Sequence, residues 1–430
     1  MLGQPVVNEL ADGMRLFWLP TDKFKTVTFK LYIHQDLQED LATKTALLPS
    51  VLERGTQRLP DRISLRRELE DLYGAELSTD VGKKGERHLM EISLEMVHED
   101  YLGEKDLLRR GLEIMEDLLS DPLVEDGGFR SDYVEQEKVQ LAQEIKSLIN
   151  NKVSYALERC LQEMCREERF GIYKLGKLQD LDQIDPQQLY AYSREMISRN
   201  PMDLYLVGLQ QQEEAESIVK DVFAFDRQSP LREITPTQVY RNQTREIITT
   251  EESMPVNQGN LVLGYRTNIP YDHELYYPLV MCNGILGGFP HSKLFQNVRE
   301  KASLAYFVFS RLERHKGVMV NAAGIDPAHY QQALDIMQEQ LTSITKGEIS
   351  REEMENTRIG LINQLRSQLD NPNSLISFYL DADIGGRRHG FSDVMEKIQQ
   401  VTPEQVVEAA SKIQLDTVYF LRGEEGGGSV

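Results

Sequence analysis

Basic residues are scarce beside acidic ones: 48 Lys and Arg stand against 69 Asp and Glu, a formal net charge of −21 over 430 residues. A surface of that sign repels a phosphate backbone, which removes nucleic acid from the expected partners. Cysteine is almost absent. Cys160, Cys165 and Cys282 are odd in number and form no C-x-x-C pair, so neither a disulfide framework nor a zinc ribbon is encoded. All are expected as reduced, mostly buried thiols. No apolar run approaches the roughly 20 residues that a bilayer span needs. The start, MLGQPVVNELADGMR, lacks the basic region and apolar stretch of a secretory signal. The expectation is a cytoplasmic protein without membrane attachment. Nucleotide loops are missing too: Gly284-Ile285-Leu286-Gly287-Gly288 lacks the Lys and Ser/Thr of a P-loop, and no G-x-G-x-x-G spacing occurs. Finally, His34, His88, His98, His273, His291, His315, His329 and His389 never fall within one helical turn of each other. No local histidine pair for a metal exists.

What remains is ordinary for a folded chain, with 40% hydrophobic and 27% charged residues. Strands are predicted at 14–19, 25–33, 75–81 and 88–97, the last two joined by the polar turn Gly82–Glu86. Helical patterns cover 41–53, closing near Gly55, and then 63–73, 104–120, 131–150 and 151–167. Asp185 caps a helix over 185–199 with Pro186 at its first position, followed by a strand at 204–209 and a helix at 212–223. Strands and helices alternate irregularly and include antiparallel hairpins, which predicts an α+β fold. Residues 226–246 carry prolines and scattered charge and read as a linker. Beyond it the same grammar returns. Ile184-Asp185-Pro186-Gln187-Gln188-Leu189 recurs as Val401-Thr402-Pro403-Glu404-Gln405-Val406, each opening a helix before a strand that ends in glycine. A duplicated module follows from this: a first half at 1–225, the linker, a second half at 247–423 and a flexible glycine-rich tail at 424–430.

The most informative stretch is Asn283 to Ser310, NGILGGFPHSKLFQNVREKASLAYFVFS. It reads as a glycine-rich turn, a short helix with Ser292 as N-cap and Leu294, Phe295 and Val298 as apolar face, and a strand from Leu304 to Phe309. Arg299 lies near the end of the helix and Tyr306 in the strand. A long cation and a phenol therefore sit on adjoining elements, beside glycines that let a ligand approach.

In the pattern ILGG-x-x-x-S-K-LFQ-x-VREK-x-x-LAY at 285–306, in LLPSVLERGTQRLP of the first half, and in the duplicated halves, the chain resembles the insulinase/pitrilysin family of zinc peptidases. That resemblance implies two homologous α/β-sandwich halves arranged like a clamshell. It also implies where zinc would bind: active members carry H-x-x-E-H on the helix before Gly-Thr, two histidines binding the metal on one helical face and a glutamate activating water. Here the matching positions are Ala46, Pro49 and Ser50, and Glu144 matches the later glutamate ligand. No metal is expected in this chain; its zinc would belong to another subunit. Arg299 and Tyr306 match the family's arginine/tyrosine pair, which the resemblance assigns to the substrate carbonyl as it becomes an oxyanion. Gly287, Gly288 and a strand at 255–264, with Asn260, Leu261 and Val262, are expected to hold an extended peptide by adding it to a sheet edge. Ser303 stands where the family usually has glycine; a left-handed corner there would tolerate serine less well.

The resemblance thus implies the zinc-less subunit of a two-chain peptidase, inactive alone, paired with a homologous subunit carrying H-x-x-E-H and acting on unfolded peptide. A homodimer in isolation stays open. The competing readings are an inert scaffold subunit and a peptide-binding chaperone without chemistry. On the scaffold reading Arg299 would be a helix-end ion pair with Glu300 or Glu313, and Tyr306 a core aromatic.

Overall fold

Segments rich in β-branched and aromatic residues build two main sheets in the computed structural model, which describes residues 3–209, 211–239, 246–255 and 258–423. The expected tail at 424–430, the 240–245 part of the linker, and Val256 and Asn257 of the expected peptide-binding strand lie outside these. The first sheet contains β1 (Val6–Ala11), β2 (Met14–Leu19), β3 (Thr26–Asp36), β4 (Glu76–Lys84), β5 (Arg87–Val97) and, after the two-stranded β6 (Val124–Glu125) and β7 (Gly128–Phe129), β8 (Met202–Val207). Its order is β1-β2-β8-β3-β5-β4. The second sheet contains β9 (Ile248–Met254), β10 (Gly259–Arg266), β11 (Ala305–Glu313), β12 (Val318–Ile325) and β13 (Gln414–Gly423), in the order β11-β12-β10-β13-β9.

The duplication is visible in this wiring. In each sheet one pair is parallel, β2 with β8 and β9 with β13, and every other pair is antiparallel. The strand that follows the repeated capping motif, β8 or β13, takes the same place between its parallel and antiparallel neighbours. Both capping motifs form as predicted: Asp185 accepts from the Gln188 N–H and Thr402 from the Gln405 N–H, each with proline at the start of the helix. The fold is α+β, with helices packed on both sheets.

The halves are not cut where the sequence suggested. One unit comprises residues 1–146, 172–236 and 371–380, the other 147–171, 237–370 and 381–430. The helix Lys152–Met164, placed by chain order in the first half, packs on β10 and β13. Its Ala156, Cys160, Leu161 and Met164 share a core with Val262, Val320 and Tyr419. The described part of the linker is fastened rather than loose: Thr235 donates to Asp36 through both its N–H and its hydroxyl, and Arg232 donates to Gln35 at 2.7 Å.

Each unit also buries a charged network. In the first, an Arg87 N–H donates to His34 Nδ1 at 3.0 Å, which leaves the ring hydrogen on Nε2 to donate to Asp203 at 2.8 Å. Arg15 grips the same carboxylate through two nitrogens. Burial pushes the Asp203 carboxyl up, but His34 and Arg15 outweigh it and hold the group at about 2. In the second unit Glu168 receives Arg266 through two nitrogens, at 3.0 and 2.7 Å, and Lys316 at 2.6 Å. Burial alone would raise the Glu168 carboxyl; the hydrogen bonds from Arg266 and Lys316 bring it below its ordinary value. This cluster ties the segment after Lys152–Met164 to the second sheet. The three cysteines are free and buried as expected, with burial pushing Cys165 to about 11 and Cys282 to about 12.

Candidate functional site

The helix Tyr276–Asn283 runs directly into a wider π turn, Gly284–Gly288. Glycine is required there by proximity: a Cβ on Gly287 would lie 2.6 Å from the Ser310 nitrogen of β11. The same contact is pinned by the Ser310 hydroxyl donating to Asn283 at 2.7 Å. The chain then turns through Phe289, which stacks on His291 with ring centres 5.2 Å apart. His291 Nε2 lies 2.9 Å from the Thr357 hydroxyl, and burial lowers its pKa. The glycine-rich turn is therefore braced from two directions, by β11 and by the helix Arg351–Gln368 that carries Thr357.

The predicted helix over this stretch is present but differs in kind. Residues Phe295–Lys301 are in π register, with Leu294 and Val298 buried. Ser292 does not cap it. Its hydroxyl is buried and has no hydrogen-bond partner among the described residues, so the predicted N-cap bond does not form. Arg299 is exposed on this turn. Its guanidinium lies 4.8 Å over the Phe295 ring, and its single ion pair among the described residues, with neighbouring Glu300, spans 3.7 Å. An exposed pair that long contributes at most about 1 kcal/mol and does not lock the side chain. Glu313, the alternative partner, is engaged by Arg311 instead.

Tyr306 is 76% exposed, so it is not a core aromatic. Its surroundings explain why. In the pairing of β11 with β12, Ala305 faces Ile325 and Phe307 faces Gly324, which leaves Tyr306 as the extra residue of a bulge. The π turn packs on this strand. Ser303, at the corner joining them, has φ of +53°: the left-handed geometry is adopted by serine.

One expectation fails outright. Gly259–Arg266 is not an edge strand, because β10 is bonded on one side to β12 and on the other to β13. Asn260, Leu261 and Val262 are buried and their backbone groups face strands on both sides, so they offer no row of donors to a peptide. The edge strand beside the glycine-rich turn is β11, the one that bears Tyr306. No local sequence signal marked this edge or the bulge: Leu304 to Phe309 reads as one apolar run with a tyrosine in it. A polar cleft of about 430 Å³ beside the π turn, lined by His291, Gln296, Asn297, Lys301 and Glu353 among others, gave no sequence signal.

In the first unit, Ala46, Pro49 and Ser50 lie on the helix Glu39–Leu52. Ala46 and Pro49 are buried and Ser50 half-buried. None presents a nitrogen or sulfur donor, and Pro49 also lacks the N–H that would continue the helix ladder. Glu144 is exposed on the helix Ser131–Ser147. This donor set does not fit zinc, and no cluster of three His, Cys, Asp or Glu suited to a metal occurs among the described residues.

Comparisons with known proteins identify the family. The family model for the peptidase M16 inactive domain matches residues 183–361, which include the whole glycine-rich stretch, Arg299 and Tyr306. A probable inactive metalloprotease of Bacillus subtilis strain 168, YmfF, is 37% identical over 98% of this chain and 99% of its own. The chain belongs to the M16 peptidase family. This is the insulinase/pitrilysin family that its motifs resemble. A conserved protein from Enterococcus faecalis V583 has the same fold, with a TM-score of 0.90 at 29% identity over 98% of this chain and 99% of that one. An M16 inactive domain from Pseudomonas fluorescens matches in fold with a TM-score of 0.79 at 18% identity, covering 98% of each chain. Among the described residues of this chain, no helix is long and apolar enough to cross a membrane.

Proposed function

We propose that this chain is the zinc-less subunit of a heterodimeric M16 peptidase, contributing Arg299 and Tyr306 to peptide hydrolysis at a site whose metal belongs to a homologous H-x-x-E-H subunit. The observation that carries this reading is the state of the pair. A guanidinium held by one long ion pair and a phenol at 76% exposure stand on adjoining, braced elements, in a chain whose zinc-motif positions cannot bind zinc. An inert scaffold has no physical use for a loosely held guanidinium and an exposed phenol placed by a π turn and a bulge.

The partner's zinc would polarise the scissile carbonyl and activate water. The residues of this chain act on the carbonyl oxygen. As it gains negative charge, the Arg299 guanidinium and the Tyr306 hydroxyl donate hydrogen bonds that strengthen in the transition state. The free edge of β11, ending at the bulge, offers backbone donors and acceptors to an extended peptide, which replaces the role first given to Asn260, Leu261 and Val262.

The test is peptidase activity on a quenched-fluorescence peptide library with zinc supplied, using the chain alone, the chain with its H-x-x-E-H partner, and the complex carrying Arg299→Ala or Tyr306→Phe. No activity is expected alone. With the partner, each substitution should lower kcat by about 10²–10³, the cost of losing one oxyanion donor. Activity of the chain alone, or a complex indifferent to both substitutions, refutes the reading.

A further inference from the structure

We propose that Ser303 is a positioning residue, whose left-handed backbone, and not its hydroxyl, sets where the Tyr306 phenol emerges. This rests on the reading of Arg299 and Tyr306 as donors to the substrate.

The turn that carries Arg299 closes in an unusual way. The Ala302 N–H donates to Asn297 O at 3.2 Å, and the Leu304 N–H reaches back to Val298 O at 3.0 Å. The second bond wraps around Ser303, and a chain can fold back on its own helix end in this manner only through a left-handed residue. Its φ of +53° supplies that. Leu304 and Ala305 are then buried, which fixes the first residue of β11, and the bulge at Tyr306 follows at once. On the far side of the bulge Phe307 lies against Gly324, where a Cβ would meet its ring at 2.4 Å. Tyr306 is thus suspended between two fixed points. One is the corner at Ser303; the other is the Phe307 ring on Gly324. Rotating the corner moves the phenol, because only Leu304 and Ala305, both buried, lie between Ser303 and Tyr306.

The Ser303 side chain itself is exposed and makes no hydrogen bond to a described residue. Substitutions at such a position are ordinarily silent. Only the backbone conformation gives them a route to activity. Gly and Asn populate the left-handed region readily, whereas a β-branched residue does not.

The decisive experiment uses the assembled zinc peptidase with Ser303→Gly, Ser303→Asn and Ser303→Val in this chain, alongside Arg299→Ala and Tyr306→Phe, on quenched-fluorescence peptides. Ser303→Val should lower kcat about tenfold with KM within about twofold, since a displaced donor costs transition-state and not ground-state binding. Ser303→Gly and Ser303→Asn should stay within about twofold of the parent in both. Should Ser303→Val not assemble, Ser303→Thr, also β-branched, carries the same expectation at smaller amplitude. If Arg299→Ala and Tyr306→Phe lose activity while the β-branched variant matches Ser303→Gly, the positioning role is overturned and the clamp stands. If all are indifferent, the clamp itself falls.

Discussion

Replacing Glu168 by alanine removes the acceptor shared by Arg266 and Lys316. Both cations are deeply buried, their side chains 5% and 0% exposed, and Glu168 receives three hydrogen bonds from them. After the change Arg266 keeps the Met164 carbonyl at 2.9 Å and a longer contact to Asp416 at 3.3 Å, while Lys316 keeps the Gln238 carbonyl at 2.7 Å. The two buried cations then lose the carboxylate they share, and the longer Asp416 contact and the two carbonyls offset them less well. Breaking a buried pair in this way costs about 3–5 kcal/mol, because the desolvation already incurred by the surviving charges is no longer offset. The surface pair Arg311–Glu313, at 2.5 Å with side chains 56% and 29% exposed, is the control. Despite its shorter contact it should be worth under about 1 kcal/mol, since solvent screens it. Urea unfolding followed by far-UV circular dichroism at pH 7 measures both. Glu168→Ala should lower the midpoint steeply with an unchanged slope, and Glu313→Ala should barely move it. Adding Lys316→Met to Glu168→Ala should recover part of the loss, because one of the two buried charges that Glu168 offset is removed with it. A Glu168→Ala loss below about 1 kcal/mol, or strict additivity with Lys316→Met, would refute the argument that burial decides the worth of these pairs.

Two further outcomes follow from single positions. Burial holds His88 neutral, its pKa pushed down to about 4, so the folded chain refuses a proton that the unfolded chain accepts below about pH 6.5. Stability should therefore be full above pH 6.5 and fall by about 3 kcal/mol on acidification to pH 4. Comparing denaturation midpoints of the parent and His88→Gln across that window isolates the term, and identical slopes would dismiss it. Gly287→Ala forces a methyl to within 2.6 Å of the Ser310 nitrogen. It should cost about 1–3 kcal/mol through displacement of β11, seen as a lowered Tm; an unchanged Tm would mean that the turn does not bear on the strand.

Much of the molecule was legible in the sequence because it is local. The capped helices after Asp185 and Thr402, the α+β alternation and the repeat depend on residues a few positions apart, and they form as read. That Ala46, Pro49 and Ser50 carry no nitrogen or sulfur donor is a matter of residue type and holds in any fold. The glycine at 287 was read as letting a ligand approach; in the structure its missing side chain makes room for Ser310 of β11.

What the sequence could not decide was set by pairing and packing over long distances. Β-type patterning shows that Gly259–Arg266 is a strand, but only the sheet order shows that β12 and β13 flank it and that β11 is the edge. The segment 147–171 reads as a continuation of the first half; the second sheet claims it because Cys160, Met164 and Glu168 find apolar cover and buried cations there. Ser292 looked like a cap because serine accepts from a helix N-terminus, yet the π register leaves its hydroxyl unpartnered. Residue types alone show that Ala46, Pro49 and Ser50 carry no nitrogen or sulfur donor and that Arg299 and Tyr306 can donate hydrogen bonds. Their presentation, a phenol lifted by a bulge and an arginine on a π turn joined through a left-handed serine, is a property of how β11 is held between the glycine-rich turn and β12, and no local pattern encodes it.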